Sequence, residues 1–370
     1  MDRLAYYIAS TDNQFGFKSK HGTDLCIYAL KEIVHRYRSR NSTVFMCFLD
    51  VSKAFDRINH GKLFAKLLER GVPSYIIRIL QFWYSHQTMQ VRWGMSISTP
   101  FYVSNGVRQG GILSPLLFNL YMDHLSVELK ECRTGCLVGD SLINRMLYAD
   151  DLVVLSPSSV GLQQLLRICS QYGLMYDIKF NSMKSVVLIA RTKEDRRLVF
   201  PSFSLAGEPL VVVKKVKYLG HVIIDDLCDD DDVQRQCGIL YGQANMLARK
   251  FYMCTTDVKI SLFKAYCTPM YTAHLWCNYS KAKMKKLHVA YNDALRILLK
   301  TPRGGSASEM FVTNNVPTFN AVLRNCMYRF MGRLTGSLNT IIVSLIDISQ
   351  SDTRFSSCFW KHWTRSLYVF

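Results

Sequence analysis

Residues 146–155 read Met-Leu-Tyr-Ala-Asp-Asp-Leu-Val-Val-Leu, two adjacent carboxylates set in the middle of an otherwise apolar run. The flanks suit buried strands and Ala-Asp-Asp suits a tight turn between them. The chain must therefore bring two apolar strands together as a hairpin and leave the acids at its tip. Asp50 stands in an equivalent place, closing the run Thr43–Asp50 (TVFMCFLD), whose length and aromatic content also fit a buried strand. Carboxylates at strand ends are costly unless they are solvated, paired or metal-bound. An isolated Asp-Asp pair is most simply turn chemistry, but here a third acid accompanies it. Such a trio suits Mg²⁺, which takes a few carboxylates together with phosphate oxygens. Two such ions, about 3.5–4 Å apart, stabilise both the attacking and the leaving oxygen in phosphoryl transfer.

Charge narrows the partner. Lys and Arg number 46 against 28 Asp and Glu, a net +18, and the pI is 9.4. An excess of that size favours a polyanion, most often nucleic acid. It is unevenly spread: residues 233–370 carry 18 basic against 5 acidic side chains, whereas residues 1–232 carry 28 against 23. A hydrophobic fraction of 49% with 20% charged residues excludes a disordered chain. No apolar run approaches the roughly 20 residues of a membrane-spanning helix, and the N-terminus lacks a signal-peptide pattern. The expected location is therefore intracellular, in the nucleus, the cytoplasm or both. The 12 cysteines include no C-x-x-C and no finger-like second ligand pair. Cys26, Cys47 and Cys169 read as small buried hydrophobes rather than zinc ligands or disulfide partners.

The periodicity predicts helices over 22–40, 52–70, 74–85 and 161–173, a hairpin over 88–103, and a helix opening at Ser114-Pro115. Strands are expected at 185–190 and around 209–224. Beyond the acidic run Asp225–Asp232 the pattern turns helical, so a boundary is expected there. Asp123 and Asp140 read as surface acids. In the basic C-terminal part, Phe251, Tyr252, Tyr266, Trp276 and Tyr291 are available to stack on bases, although helix-core packing is the simpler use for most.

The order of short motifs then becomes specific. F-L-D-V-S-K-A-F-D (48–56), S-N-G-V-R-Q-G-G-I-L-S-P (104–115), Y-A-D-D (148–151), N-x-x-K (181–184) and K-Y-L-G (217–220) together resemble the reverse transcriptase domain. The resemblance is to the enzyme of non-LTR, LINE-type retrotransposons, and Q-F-G-F-K-S-K-H-G-T-D (14–24) belongs to the same pattern. It covers residues 12–224 by motif. It implies that Asp50, Asp150 and Asp151 bind two Mg²⁺ ions, with Mn²⁺ as a possible substitute, and that Val51 offers a backbone carbonyl. Phe55 corresponds to the aromatic beneath the incoming sugar that excludes a 2′-hydroxyl. Arg108, Gln109 and Gly110 correspond to the loop that meets nucleotide and template. Lys184 corresponds to a general acid for the departing pyrophosphate, and Tyr218, Leu219 and Gly220 to the primer grip. Asp56 corresponds to a structural acid.

The resemblance also implies a fingers strand upstream of Gln14, which the sequence lacks, so the chain reads as N-terminally truncated. Lys18 and Lys20 are the basic candidates left from that region for the nucleotide. No endonuclease or zinc-knuckle segment is recognisable. The expected fold is α+β: a right-hand polymerase palm of antiparallel strands backed by helices, with partial fingers (1–40), palm and remaining fingers elements (41–224), and a basic helical thumb with a C-terminal extension (225–370). The expected activity is RNA-directed DNA polymerisation, with an RNA template, a DNA primer and dNTPs as partners and no membrane. Two alternatives stand beside it. One is RNA-templated RNA synthesis, which Phe55 argues against; the other is a remnant that binds nucleic acid without polymerising.

Overall fold

Six consecutive buried apolar residues, Val44–Leu49, form strand β1 of the computed structural model, which describes residues 7, 10–302, 304–351, 357 and 359–363. The chain divides into two compact units, one of residues 1–26 and 40–213, the other of residues 27–39 and 214–370. The first helix, α1 (Thr23–Ser39), has its residues from Ile27 onward in the second unit. The division differs from the expected boundary near 225–232: the K-Y-L-G segment groups with the helical C-terminal part.

In the first unit, β1 lies at the centre of a five-stranded sheet because all six of its side chains are buried. Helices α2 (His60–Glu69) and α3 (Ser74–Ser85) follow it. The single helix expected over 52–70 is broken. A 3-10 turn at Phe55–Arg57 comes first, and Asn59 then starts α2 afresh by accepting the Lys62 N–H. The hairpin expected over 88–103 is present as four very short strands, β2 (Thr88–Met89), β3 (Arg92–Trp93), β4 (Ser96–Ile97) and β5 (Phe101–Tyr102). Helix α4 (Ser114–Glu131) has Pro115 in its first turn, where the missing N–H costs nothing.

A small hairpin, β6 (Cys136–Val138) with β7 (Ser141–Ile143), leads to β8 (Arg145–Tyr148) and β9 (Asp151–Ser156). Helix α5 (Ser159–Met175), capped by Ser158, precedes β10 (Val186–Ala190). A two-residue ladder, β11 (Ser204–Leu205) with β12 (Glu208–Pro209), precedes β13 (Val211–Val213). The sheet order is β13-β10-β1-β9-β8, antiparallel except for β10–β13. Phe45, Cys47 and Leu49 of β1 join Leu117, Phe118 and Tyr121 of α4 and Leu162, Leu165 and Cys169 of α5 in one core. The apolar area removed from water there is what holds sheet and helices together.

The second unit contains the hairpin β14 (Lys215–Tyr218) with β15 (His221–Ile224), then helices α6 (Asp230–Lys250), α7 (Thr256–Tyr266), α8 (Lys281–Leu299), α9 (Ala307–Thr313), α10 (Phe319–Thr335) and α11 (Thr340–Ser351). Among the described residues no helix is long and apolar enough to cross a membrane. The acidic run is not a solvated linker. Asp229 and Asp232 are buried and bind the hairpin to α6: Asp232 accepts the N–H of Val222 at 3.0 Å and the indole N–H of Trp276 at 2.8 Å, and it pairs with His221 at 3.1 Å. Asp229 pairs with Lys31 and accepts the N–H groups of Cys277 and Asn278. Burial pushes the Asp229 carboxyl up, but Lys31 and His221 together outweigh it and hold the group below its ordinary range. Trp276 and Tyr291 are core residues, whereas Tyr252 and Tyr266 are exposed.

Candidate active site

Asp50 follows β1 directly. The β1–β9 ladder pairs Leu49 with Leu152, so one further step sets Asp50 opposite Asp151. Asp150 is the second residue of the two-residue turn between the paired residues Tyr148 and Asp151. Ala149 opens that turn at φ 59°, a left-handed conformation that costs a residue with a Cβ roughly 1–2 kcal/mol. Gln14 holds it there. Its buried amide oxygen accepts the N–H of Ala149 at 3.0 Å and of Gly16 at 2.8 Å, and its amide nitrogen donates to the Ala149 carbonyl at 3.4 Å. The segment around Gln14 is itself zipped to β8, through Phe15 N–H to Leu147 O and Leu147 N–H to Asn13 O, both 2.8 Å. A Cβ on Gly16 would lie 2.3 Å from the Ala149 nitrogen, so no side chain fits at that approach. Asn119 of α4 donates to the Gly16 carbonyl at 2.9 Å and fixes the clamp from behind.

Asp50 is fixed through its backbone. Its N–H donates to the buried Ser185 hydroxyl at 3.1 Å, and its carbonyl accepts the Asn181 N–H at 2.8 Å. Asn181 and Ser185 close one turn by a 2.8 Å backbone bond, and exposed Lys184 sits on that turn. Val51 bridges Phe180 with the ladder bonds passing through the residues on either side, so its own carbonyl is turned away from Phe180.

The electrostatics express the crowding. Burial raises the Asp150 carboxyl, and the charge of Asp50 raises it further. Asp151 keeps exposed surface, yet the protein around the turn, then Asp150, then Asp50 push it up to about 6. Here the structure departs from the expected cluster. Among the described residues no three His, Cys, Asp or Glu side chains are gathered into a shell that holds an ion. The donor set nonetheless fits a hard divalent cation, since such an ion would relieve the repulsion that raises Asp150 and Asp151.

Phe55 stacks on Phe118 with ring centroids 4.7 Å apart and meets Phe17 edge-on, and it is half-buried. The loop 104–111 docks onto this turn: Val107 N–H donates to the Phe55 carbonyl at 2.8 Å, and Gly106, at φ 90°, leaves no room for a Cβ against Asp56. Arg108, Gln109 and Gly110 are exposed, and Gln109 donates to Asp56 at 3.3 Å. Lys20 is exposed. Lys18 is not a free cation for a nucleotide: its ammonium donates to the carbonyls of Ser10 and Thr11 at 2.8 and 2.6 Å, and burial lowers its pKa. Asp123 is also corrected, since it is buried and pairs with Arg70; Asp140 is exposed. In the second unit, Leu219 and Gly220 form a two-residue turn at φ 46° and 81° between Tyr218 and His221. Tyr271 donates to the Leu219 carbonyl at 2.6 Å, and its ring lies where a Gly220 side chain would be.

Sequence reasoning missed Gln14 as the clamp on the acidic turn, although it noted the Q-F-G-F element. It also missed Ser185, for which the sequence offers no signal beyond adjacency to Asn181-x-x-Lys184.

Residues 2–223 match the family described as "Reverse transcriptase (RNA-dependent DNA polymerase)", and this chain belongs to that family. Its α+β fold is accordingly a polymerase palm followed by a helical C-terminal part. Reverse transcriptase domains generally use divalent metal ions. Among similar proteins are the Pol polyprotein of the type-2 retrotransposable element R2DM of Drosophila melanogaster, 31% identical over 48% of this chain and 17% of its own length. The RNA-directed DNA polymerase from mobile element jockey of Drosophila funebris is 23% identical over 89% of this chain and 36% of its own length. The chain thus spans about a third or less of these curated relatives. Among solved structures, apo telomerase from Candida tropicalis aligns with 99% of this chain and 57% of its own at TM-score 0.46 and 14% identity.

Proposed function

We propose that this chain is an RNA-directed DNA polymerase that extends a primer 3′-hydroxyl with dNTPs on an RNA template. What supports this reading is that the β1–β9 ladder ends at Leu49 opposite Leu152, with Asp50 and Asp151 next in register and Asp150 in the clamped turn, and that the charge of Asp50 raises both of the other carboxyls. Asp50, Asp150 and Asp151, with the Val51 carbonyl, would hold Mg²⁺, two ions in all, with Mn²⁺ as a substitute. When bound, the metal supplies Lewis acidity to the primer hydroxyl and charge neutralisation to the pyrophosphate. The chain's own residues do the rest. Arg108, Gln109 and Gly110, with Lys20, receive the nucleotide and the template base. Lys184, on the turn tied to the Asp50 backbone, donates a proton to the leaving pyrophosphate. Tyr218, Leu219 and Gly220 receive the primer end.

Phe55 sets sugar selectivity. One face of its ring is stacked on Phe118 and Phe17 meets it edge-on, so the ring is held in place, where it would take up the room a ribose 2′-hydroxyl needs. The test is incorporation of dNTP against NTP by the wild-type chain and by Phe55→Val on an RNA template. Wild type should prefer dNTP, and Phe55→Val should use ribonucleotides relatively better at some cost in dNTP rate. Because the ring is half-buried, the stability cost should stay below the roughly 3–5 kcal/mol of a fully buried aromatic, which a thermal melt checks. Unchanged selectivity in a stable Phe55→Val protein makes Phe55 packing alone. Steeply salt-dependent binding without any primer extension would favour the non-polymerising reading.

A further inference from the structure

Between Glu69 and Asp123 the chain carries no Asp or Glu, while Arg78, Arg92 and Arg108 are exposed. In the same stretch large rings stand in solvent: Trp93 is 85% exposed, Tyr102 75%, Phe82 61% and Trp83 57%. Single exposed hydrophobes need no explanation, but these four fall within 21 consecutive residues, on the end of α3 and the hairpin that follows it. Phe82 and Trp83, at the end of α3, line a cavity of about 530 Å³ that Arg108 and Gln87 also line. The Gln87 carbonyl in turn accepts the Val103 N–H at 3.0 Å, closing the base of the hairpin that carries Trp93 and Tyr102.

A stretch that carries positive charge and no acid of its own attracts a polyanion. Exposed rings interleaved with arginines go further, because they offer stacking surfaces that unpaired bases can use. A duplex would engage the arginines but keep its bases hidden. An acidic peptide would likewise leave the rings without a partner.

We propose that this face of the first unit, the hairpin 88–102 with the end of α3, binds single-stranded RNA by stacking its bases on Trp93, Tyr102, Phe82 and Trp83. The strand it would hold is the unpaired template, an identification that rests on the polymerase reading; the RNA site itself does not.

The test uses the full chain and fluorescence anisotropy with a labelled mixed-sequence single-stranded RNA, a duplex RNA of equal length serving as comparison. Trp93→Ala and Tyr102→Ala should each weaken single-strand binding by roughly 5- to 100-fold, with little effect on duplex binding. Trp93→Phe, which keeps a ring, should retain most of the affinity. Arg92→Gln should flatten the logarithmic salt slope by about 0.7. These side chains are exposed, so melting should be unchanged. Wild-type affinity in both alanine variants overturns the proposal, as do equal losses on single strand and duplex. So does a wild-type dimer that Trp93→Ala dissociates, which would make the face a protein interface. Primer extension with the same preparations separates the two readings. A wild-type chain that binds single-stranded RNA through these rings but extends nothing upholds the site and removes the polymerase. A chain that extends primers while its ring variants bind RNA normally removes the site alone.

Discussion

Asp151 shows what crowding three carboxylates costs. Its carboxyl is pushed up to about 6, by burial first and then by Asp150 and Asp50. A folded-state pKa above the unfolded value means that the native protein binds the extra proton between about pH 4 and 6. Metal-free stability should therefore fall as pH rises through that window and level off above it. Asp151→Asn removes the charge, so it should raise metal-free stability at pH 8 by about 1 kcal/mol, a figure discounted for the water that reaches the side chain. At pH 4, where the native carboxyl is already protonated, the gain should vanish. Denaturant unfolding of both proteins in chelator at the two pH values checks the sign. A variant less stable than wild type at pH 8 would mean that the fold stabilises the carboxylate, the reverse of what repulsion among the three acids requires.

The element that most depends on distant sequence is the β8–β9 turn. Its own residues, Tyr148 to Asp151, announce a turn and two acids, and that much was legible from the sequence. The agent that keeps Ala149 left-handed was not, because Gln14 lies more than a hundred residues away and its amide looks like any surface glutamine. Gln14→Ala should leave the N–H groups of Ala149 and Gly16 without their acceptor in a buried place, at a cost of about 2–4 kcal/mol in stability. Primer extension should fall further than stability alone explains, because the Asp150 carboxyl loses its fixed position. Extension at the wild-type rate by a folded Gln14→Ala protein would show that the turn holds itself. The same limit explains Asp123, which read as a surface acid, and the run 225–232, which read as a boundary: their partners, Arg70 for Asp123, and Lys31 and His221 for Asp229, are remote in sequence, and local charge density carries no sign of burial.

At the scale of the whole molecule, the fold class followed from strand patterning and motif order, since apolar runs that end in acids have few ways to pack. The unit boundary did not. A charge run resembles a linker, whereas the buried contacts of Asp229 and Asp232 make it part of the second unit. The charge asymmetry has its own consequence. Lys281, Lys283, Lys285 and Lys286 crowd the first turns of α8, and replacing all four by glutamine should weaken duplex binding alike for every sequence. The salt slope should flatten by up to about 0.9 for each phosphate that is no longer neutralised. A weakening confined to one sequence would point to base readout instead.

The central claim is that Asp50, Asp150 and Asp151 form the centre for RNA-templated DNA synthesis. It is tested most directly by single-turnover primer extension on poly-rA with an oligo-dT primer, dTTP and Mg²⁺, comparing wild type with Asp150→Asn. Wild type should extend the primer, and Asp150→Asn should be slower by at least about a thousandfold while still binding the template–primer. Extension by Asp150→Asn at a rate close to wild type would contradict the claim.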